Sequence, residues 1–241
     1  MRPRHLRSGG PGVPAPPVAG CRRGRLGLLL ILVSSLATPT SAQSGDVPGG
    51  PGHTTVGSVL MELAAEPRPD IELSLRGSYF NGSVEGGFVE PGVQFRVNRF
   101  LTVGPSYFHL FQTSSARYPD RHDRRVRFSA NAVAHLAGFA LKHRSLVEYR
   151  FRDTGGGWRY RPQIQVERAF GPADGRVTPY LADEPIYDFA QGRWTGNQMF
   201  VGVRLAVSRP LEVNVSEYHL DQFHRPDTDA ITIGLRYSLG R

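Results

Sequence analysis

Taken at every second position, the stretch His143–Arg152 places Val147, Tyr149 and Phe151 on one face and Arg144, Glu148, Arg150 and Arg152 on the other. Trp158–Glu167 repeats the arrangement. Trp158, Tyr160, Ile164 and Val166 stand against Arg159, Arg161, Gln163, Gln165 and Glu167. A period of two predicts strands, and Asp153–Gly157 between them predicts a hairpin turn. In a soluble sandwich the polar face meets water, which does not require so dense a row of long charged side chains. A barrel in lipid accounts for both faces, with apolar and aromatic residues outside and a polar lumen inside.

The same alternation runs from Ile71 to Leu239 and predicts ten strands, with twelve as the alternative. Val59–Ala65 is ambiguous between a short helix and an extra strand. Thr113–Arg125 is polar and reads as a loop. Val177–Phe189 reads as a strand interrupted at Pro179 and Pro185. The strand starting at Leu211 loses clean alternation at Glu217 and Tyr218, where a bulge would explain it. If the first strand starts in the periplasm, the tight turns 97–99, 136–138, 171–176 and 209–210 fall on the periplasmic side. The loops 81–86, 113–125, 153–157, 190–196 and 223–229 then fall outside. Short turns inside and longer loops outside are the rule for outer-membrane barrels. The expectation is an all-β, transmembrane, antiparallel up-and-down barrel with both mature termini in the periplasm.

Composition changes the picture at the N-terminus. The 241 residues carry a net charge of +8, but residues 1–42 hold six arginines and no acid, so the rest of the chain carries only +2. That leaves no electrostatic case for a nucleic-acid partner. Arg22, Arg23 and Arg25 precede the apolar run Leu26–Val33, and Ser41-Ala42-Gln43 follows, which is the layout of a secretory signal cleaved after Ala42. The run is too short to span a bilayer. Val18-Ala-Gly-Cys21 looks like a lipoprotein box, but its apolar run follows the cysteine instead of preceding it. Cys21 is the one cysteine, so the exported part has no thiol chemistry. The expected organisation is a signal over 1–42, a Gly/Pro-rich linker with one ambiguous element over 43–70, and a barrel over 71–241.

Candidate chemistry is sparse. No metal-ligand spacing, phosphate loop or nucleotide fingerprint is present, so no cofactor or metal is expected. Asp120, His122, Asp123 and His135 have no spacing that makes a metal site. His143 and Ser145 share the lipid-facing side of one strand, and a His–Ser pair on a barrel wall could hydrolyse acyl esters of lipids. Its missing part is a carboxylate on that face, since Glu148 points the other way. The lumen face holds ten basic residues and five acidic ones. Glu148, Glu167 and Glu184 are expected as hubs, with Arg144, Arg150, Arg159, Arg161 and Arg204 as their donors. One reading is cross-strand ion pairs filling a small interior. Another is a narrow anion-selective pore. A soluble, secreted β-sandwich is the remaining alternative. It is opposed by the charge density on the inner face, by aromatics near strand ends, and by the last strand. There Thr232, Gly234, Tyr237 and Leu239 resemble the signal by which barrels are inserted into the outer membrane. The expected partners are outer-membrane lipid, lipopolysaccharide and the barrel-assembly machinery. The oligomeric state is left open.

Four segments carry a resemblance to a bacterial family of outer-membrane barrels defined only as a domain of unknown function. They are His143–Arg150, Tyr160-Arg-Pro-Gln163, Tyr180-Leu-Ala-Asp-Glu184 and Asn197–Arg204, within a similarity over roughly 71–240. The resemblance implies location and architecture. It implies no activity.

Overall fold

The computed structural model describes residues 54–82, 85–113, 121–151, 155–222 and 227–240. They form eleven strands: β1 (Thr54–Arg68), β2 (Ile71–Gly82), β3 (Gly86–Arg96), β4 (Leu101–Gln112), β5 (Arg121–Leu136), β6 (Phe139–Phe151), β7 (Gly157–Glu167), β8 (Val177–Asp188), β9 (Arg193–Ala206), β10 (Leu211–Gln222) and β11 (Thr228–Leu239). Each pairs with its sequence neighbours, and β1 pairs with β11 to close a barrel. The ambiguous stretch around Val59–Ala65 is a strand, and the barrel starts at Thr54 where Ile71 was expected. With eleven up-and-down strands, β1 and β11 run in the same direction, so their pairing is parallel, from Thr54↔Thr228 to Ala65↔Leu239. Thr54 therefore stands at the loop end and Leu239 at the turn end, whereas an even strand count would place both at one end. The signal expected over 1–42 and the linker up to His53 lie outside the described residues.

The outward faces carry the apolar half of the alternation. Leu73, Leu75, Val201, Val203, Ile231 and Ile233 are all exposed on the barrel's outside, as a lipid-facing belt must be. The strands run from 11 to 16 residues, while about 9–11 suffice for a tilted strand to cross the hydrocarbon. Their loop ends therefore overrun the membrane, and there the polarity of the outer face changes. This explains two departures from expectation. β10 pairs without a break along its length, from Leu211↔Tyr237 to Leu220↔Thr228, so Glu217 and Tyr218 mark no bulge. Glu217, His219 and Asp221 point outward at the loop end of the strand, and Tyr218 and Leu220 point inward. Likewise Arg121–Arg125 belongs to β5, where a loop was expected. Asp123 and Arg125 face inward, in register with Leu110 and Phe108 of β4.

The turns follow local chemistry. Ala137 and Gly138 both adopt positive φ, as a two-residue hairpin between β5 and β6 needs to match strand twist. The Asn98 carboxamide oxygen accepts from the amides of Phe100 (2.8 Å) and Leu101 (3.0 Å), fixing the β3–β4 turn. β8 is continuous through Pro179 and Pro185. Its ladder with β7 skips from Tyr160↔Tyr187 to Ile164↔Asp183, the stretch holding Pro162 and Pro185, neither of which can donate.

Candidate functional site

The inward positions of the eleven strands make two unlike walls. On β5–β8 they carry long charged side chains: Asp123, Arg125 and Arg127, then Arg144, Glu148 and Arg150, then Arg159 and Arg161, then Glu184 and Asp188. On β10, β11, β1 and β2 they are largely small, among them Ser58, Ser78, Ser216, Ala230, Thr232 and Gly234, with Glu62, Glu72, Glu212 and Arg236 toward the turn end and Arg76 reaching the charged wall. Apolar residues sit nearer the loop end: Val56, Phe80, Phe88, Leu110, Tyr218 and Leu220. Phe108 joins the two walls. Its ring packs 4.9 Å from that of Phe88, and the guanidiniums of Arg127 and Arg125 lie 3.8 and 4.8 Å from its centre.

The charged wall is one connected network. Glu148 is fully buried and meets Arg125 (3.3 Å), Arg127 (3.1 Å) and Arg161 (3.7 Å). Arg127 reaches on to Glu90 (3.1 Å), which also holds Arg76 (3.4 Å) and accepts from Ser106 (2.9 Å). Arg125 bonds Asp123 (3.0 Å), and Arg150 bonds the same carboxylate. Arg144 and Arg161 both pair with Glu184, which is also fully buried and accepts from Gln163 at 3.1 Å. Arg159 pairs separately with Asp188 at 3.3 Å. These are charges taken out of water, tolerable only because each carboxylate accepts several charge-assisted bonds.

Among the expected hubs, Glu148 and Glu184 thus share one cluster. Glu167 heads a different layer at the turn end, with Lys142 (2.8 Å), Arg204 and Gln165 (2.6 Å). Nearby, Arg236 bridges Glu62 (3.2 Å) and Glu72 (3.3 Å). Arg150 and Arg159 find Asp123 and Asp188 as partners, where glutamates were expected. Sequence reasoning missed Glu62, Asp123, Asp188 and Glu212 on the acidic side and Arg125 and Arg127 on the basic side, so the basic excess it assigned to the lumen is reduced. The available signal was the continued alternation Asp123, Arg125, Arg127 into β5, hidden because a charged run resembles a solvated loop. Arg152 lies outside the described residues.

Between the walls lies a cavity of about 680 Å³, lined from Gln112 and Thr228 at the loop end down to Arg204, Glu212 and Arg236. Glu72, Gln94, Asn131, Lys142 and Glu167, nearer the turn end, are not part of its lining. Among them Asn131 donates to Gln94 (3.1 Å). A cross-linked polar layer lies at that end, and its Gln165 and Arg204 reach the cavity.

The other expected residues lie elsewhere. His143 Nε2 is 3.0 Å from Ser145 Oγ, which is 3.2 Å from the Tyr160 hydroxyl. All three face outward at the middle of β6 and β7, and Glu148 is on the inner face. The outward acid on this side is Asp183. It accepts from Asn197 at 2.7 Å and is separated from His143 by Ile164 in the register. His122 stands outside the barrel, 3.3 Å from His109, while Asp123 points inward; Asp120 lies outside the described residues. Thr232 and Gly234 face the lumen, where the hydroxyls of Thr232 and Ser58 meet at 2.6 Å across the β11–β1 closure. Tyr237 and Leu239 face outward.

A family model described as Protein of unknown function (DUF2490) matches residues 63–230. No curated protein matches the chain significantly. Among solved structures, LpxR from Salmonella typhimurium, an outer-membrane β-barrel, is similar with a TM-score of 0.51. The two are 9% identical, and the match covers 74% of this chain and 87% of LpxR. At that identity the likeness carries the fold alone, a closed transmembrane β-barrel.

Proposed function

The chain belongs to the DUF2490 family, whose members are of unknown function, and from that premise we propose that it is an outer-membrane barrel with a closed, ion-paired lumen that conducts no steady current. The observation that carries this reading is the burial of Glu148, Glu184 and Asp123, each fully removed from solvent and each bonded by arginines. A conduction path would need those charges hydrated and facing a continuous channel. Here they face one another, and the Glu167–Lys142–Arg204 layer adds paired side chains at the turn end.

Export by the segment 1–42 and recognition of Thr232, Gly234, Tyr237 and Leu239 by the assembly machinery belong to this proposal. So do contacts of the outer belt with lipid and lipopolysaccharide, and a periplasmic turn end. The pore reading is weaker, because Asp123 and Asp188 neutralise arginines that would have formed its anion path. The esterase reading rests on the 3.0 Å His143–Ser145 contact. It lacks a carboxylate on His143, and its mid-strand depth is remote from the ester level of a lipid.

The test is liposome swelling. Folded barrel in proteoliposomes should admit arabinose no faster than empty vesicles, and the protein should fractionate with the outer membrane and migrate heat-dependently in gels. Rapid swelling would overturn the closed lumen. A soluble periplasmic monomer would overturn the membrane reading and restore the sandwich.

A further inference from the structure

The network facing the cavity does not balance. Among the described residues, Arg76, Arg125, Arg127, Arg144, Arg150 and Arg161 are linked through Glu90, Asp123, Glu148 and Glu184. Six guanidiniums share four carboxylates, an excess of two positive charges. Three of these arginines, Arg76, Arg144 and Arg161, also have a buried Nε with no acceptor, and all three line the cavity. A buried donor without an acceptor costs roughly 1–3 kcal/mol, and together with the two uncompensated charges these groups make the arginine side of the cavity favourable for an anion, with the Glu184 carboxylate beside them. Directly above them, toward the loop end, the opposite wall is aromatic and aliphatic: Phe80, Phe88, Leu110, Tyr218 and Leu220 line the same space. A lumen filled only by water would leave that surface wet. The volume of about 680 Å³ falls within the roughly 300–1,000 Å³ of ligand pockets, which are mostly apolar with a few convergent polar groups.

We infer that the lumen binds an anionic amphiphile with a single acyl chain. Its acid head sits among Arg76, Arg144 and Arg161, and its chain lies along Phe80, Phe88 and Tyr218. The head can be a carboxylate or a phosphate monoester, since both accept paired N–H bonds from a guanidinium fork. The inference rests on the closed-lumen reading, since a through-channel would offer the chain no blind pocket.

The test is retention of radiolabelled dodecanoate by the folded barrel in a nonionic detergent. Retention should saturate near one molecule per barrel. Dodecyl phosphate should displace the label, whereas dodecanol and inorganic phosphate should not. Arg144→Gln should weaken retention about tenfold. Ser78→Trp, which fills the cavity at a position that makes no ion pair, should abolish retention while leaving heat-dependent migration unchanged, and it carries the test if Arg144→Gln does not fold. Absence of saturable retention, displacement by dodecanol as strong as by dodecyl phosphate, displacement by inorganic phosphate alone, or full retention by folded Ser78→Trp would each overturn the inference. Swelling separates the two readings: a barrel that excludes arabinose and retains no dodecanoate refutes the pocket alone, and one that admits arabinose refutes the closed lumen beneath it.

Discussion

The wall built by β5–β8 and the wall built by β10, β11, β1 and β2 occupy equivalent inward positions of one barrel, yet they share almost no chemistry. The first is crowded with arginines and carboxylates. The second is mostly Ser, Thr, Ala and Gly at mid-height and aromatic or aliphatic above, with its few charges, Glu62, Glu72, Glu212 and Arg236, at the turn end. Long side chains on one wall need room, and the small residues opposite provide it. Glu90 and Arg76, on β3 and β2, meet the charged wall from the far side. The inner face of a membrane barrel is thus defined by strand phase and not by polarity. On β10 the inward residues Tyr218 and Leu220 are the apolar ones, and the outward Glu217 and His219 are the polar ones.

The contrast can be broken in order of expected effect. Deleting 230–241 removes most of β11, opens the closure and should abolish assembly, leaving an unfolded periplasmic species; Tyr237→Ala should reduce insertion if the last strand is the assembly signal. Outer-membrane fractionation reads both, and normal insertion of Tyr237→Ala would leave that assignment without support. Glu148→Ala strands three guanidiniums and should cost about 3–5 kcal/mol, whereas Glu148→Gln keeps part of the bonding and should cost about 1–3 kcal/mol. Urea unfolding in lipid vesicles measures the difference, and equal stability for all three proteins would show the network to be energetically idle. On the small-residue wall, Ser58→Ala loses one hydroxyl contact with Thr232 and should cost only about 1 kcal/mol. Smallest of all, His143→Ala and Ser145→Ala should each change stability by less than about 0.5 kcal/mol and leave the lipid profile unaltered. Loss of a hydrolysed lipid species in either variant would revive the esterase reading.

Much of the barrel was legible in the alternation. Arg144, Glu148, Arg161 and Glu184 lie on the face their phase assigned, because a one-residue slip would move every one of them into lipid. Two features were not legible. Asp123 sits in a run, Arg121–Arg125, where both faces are charged, one because it leaves the lipid and one because it enters the network; period two vanishes there though the strand persists. Val59–Ala65 is apolar on both faces except at Glu62, for the mirrored reason. Its inner side belongs to the wall of small and apolar residues, so its alternation is weak and strand could not be told from helix. The pairing of Glu167 with Lys142 and Arg204, separate from Glu148 and Glu184, depends on register across β6–β9, which no local pattern encodes.

The central claim is that the lumen is closed by ion pairs, and single-channel recording in planar bilayers tests it most directly. Wild-type barrel should give no steady conductance. Lys142→Ala combined with Glu167→Ala, which removes the layer below the cavity, should give small, stable openings. A large anion-selective current from the wild type, unchanged in the double variant, would contradict the account and make the arginine wall a conduction path.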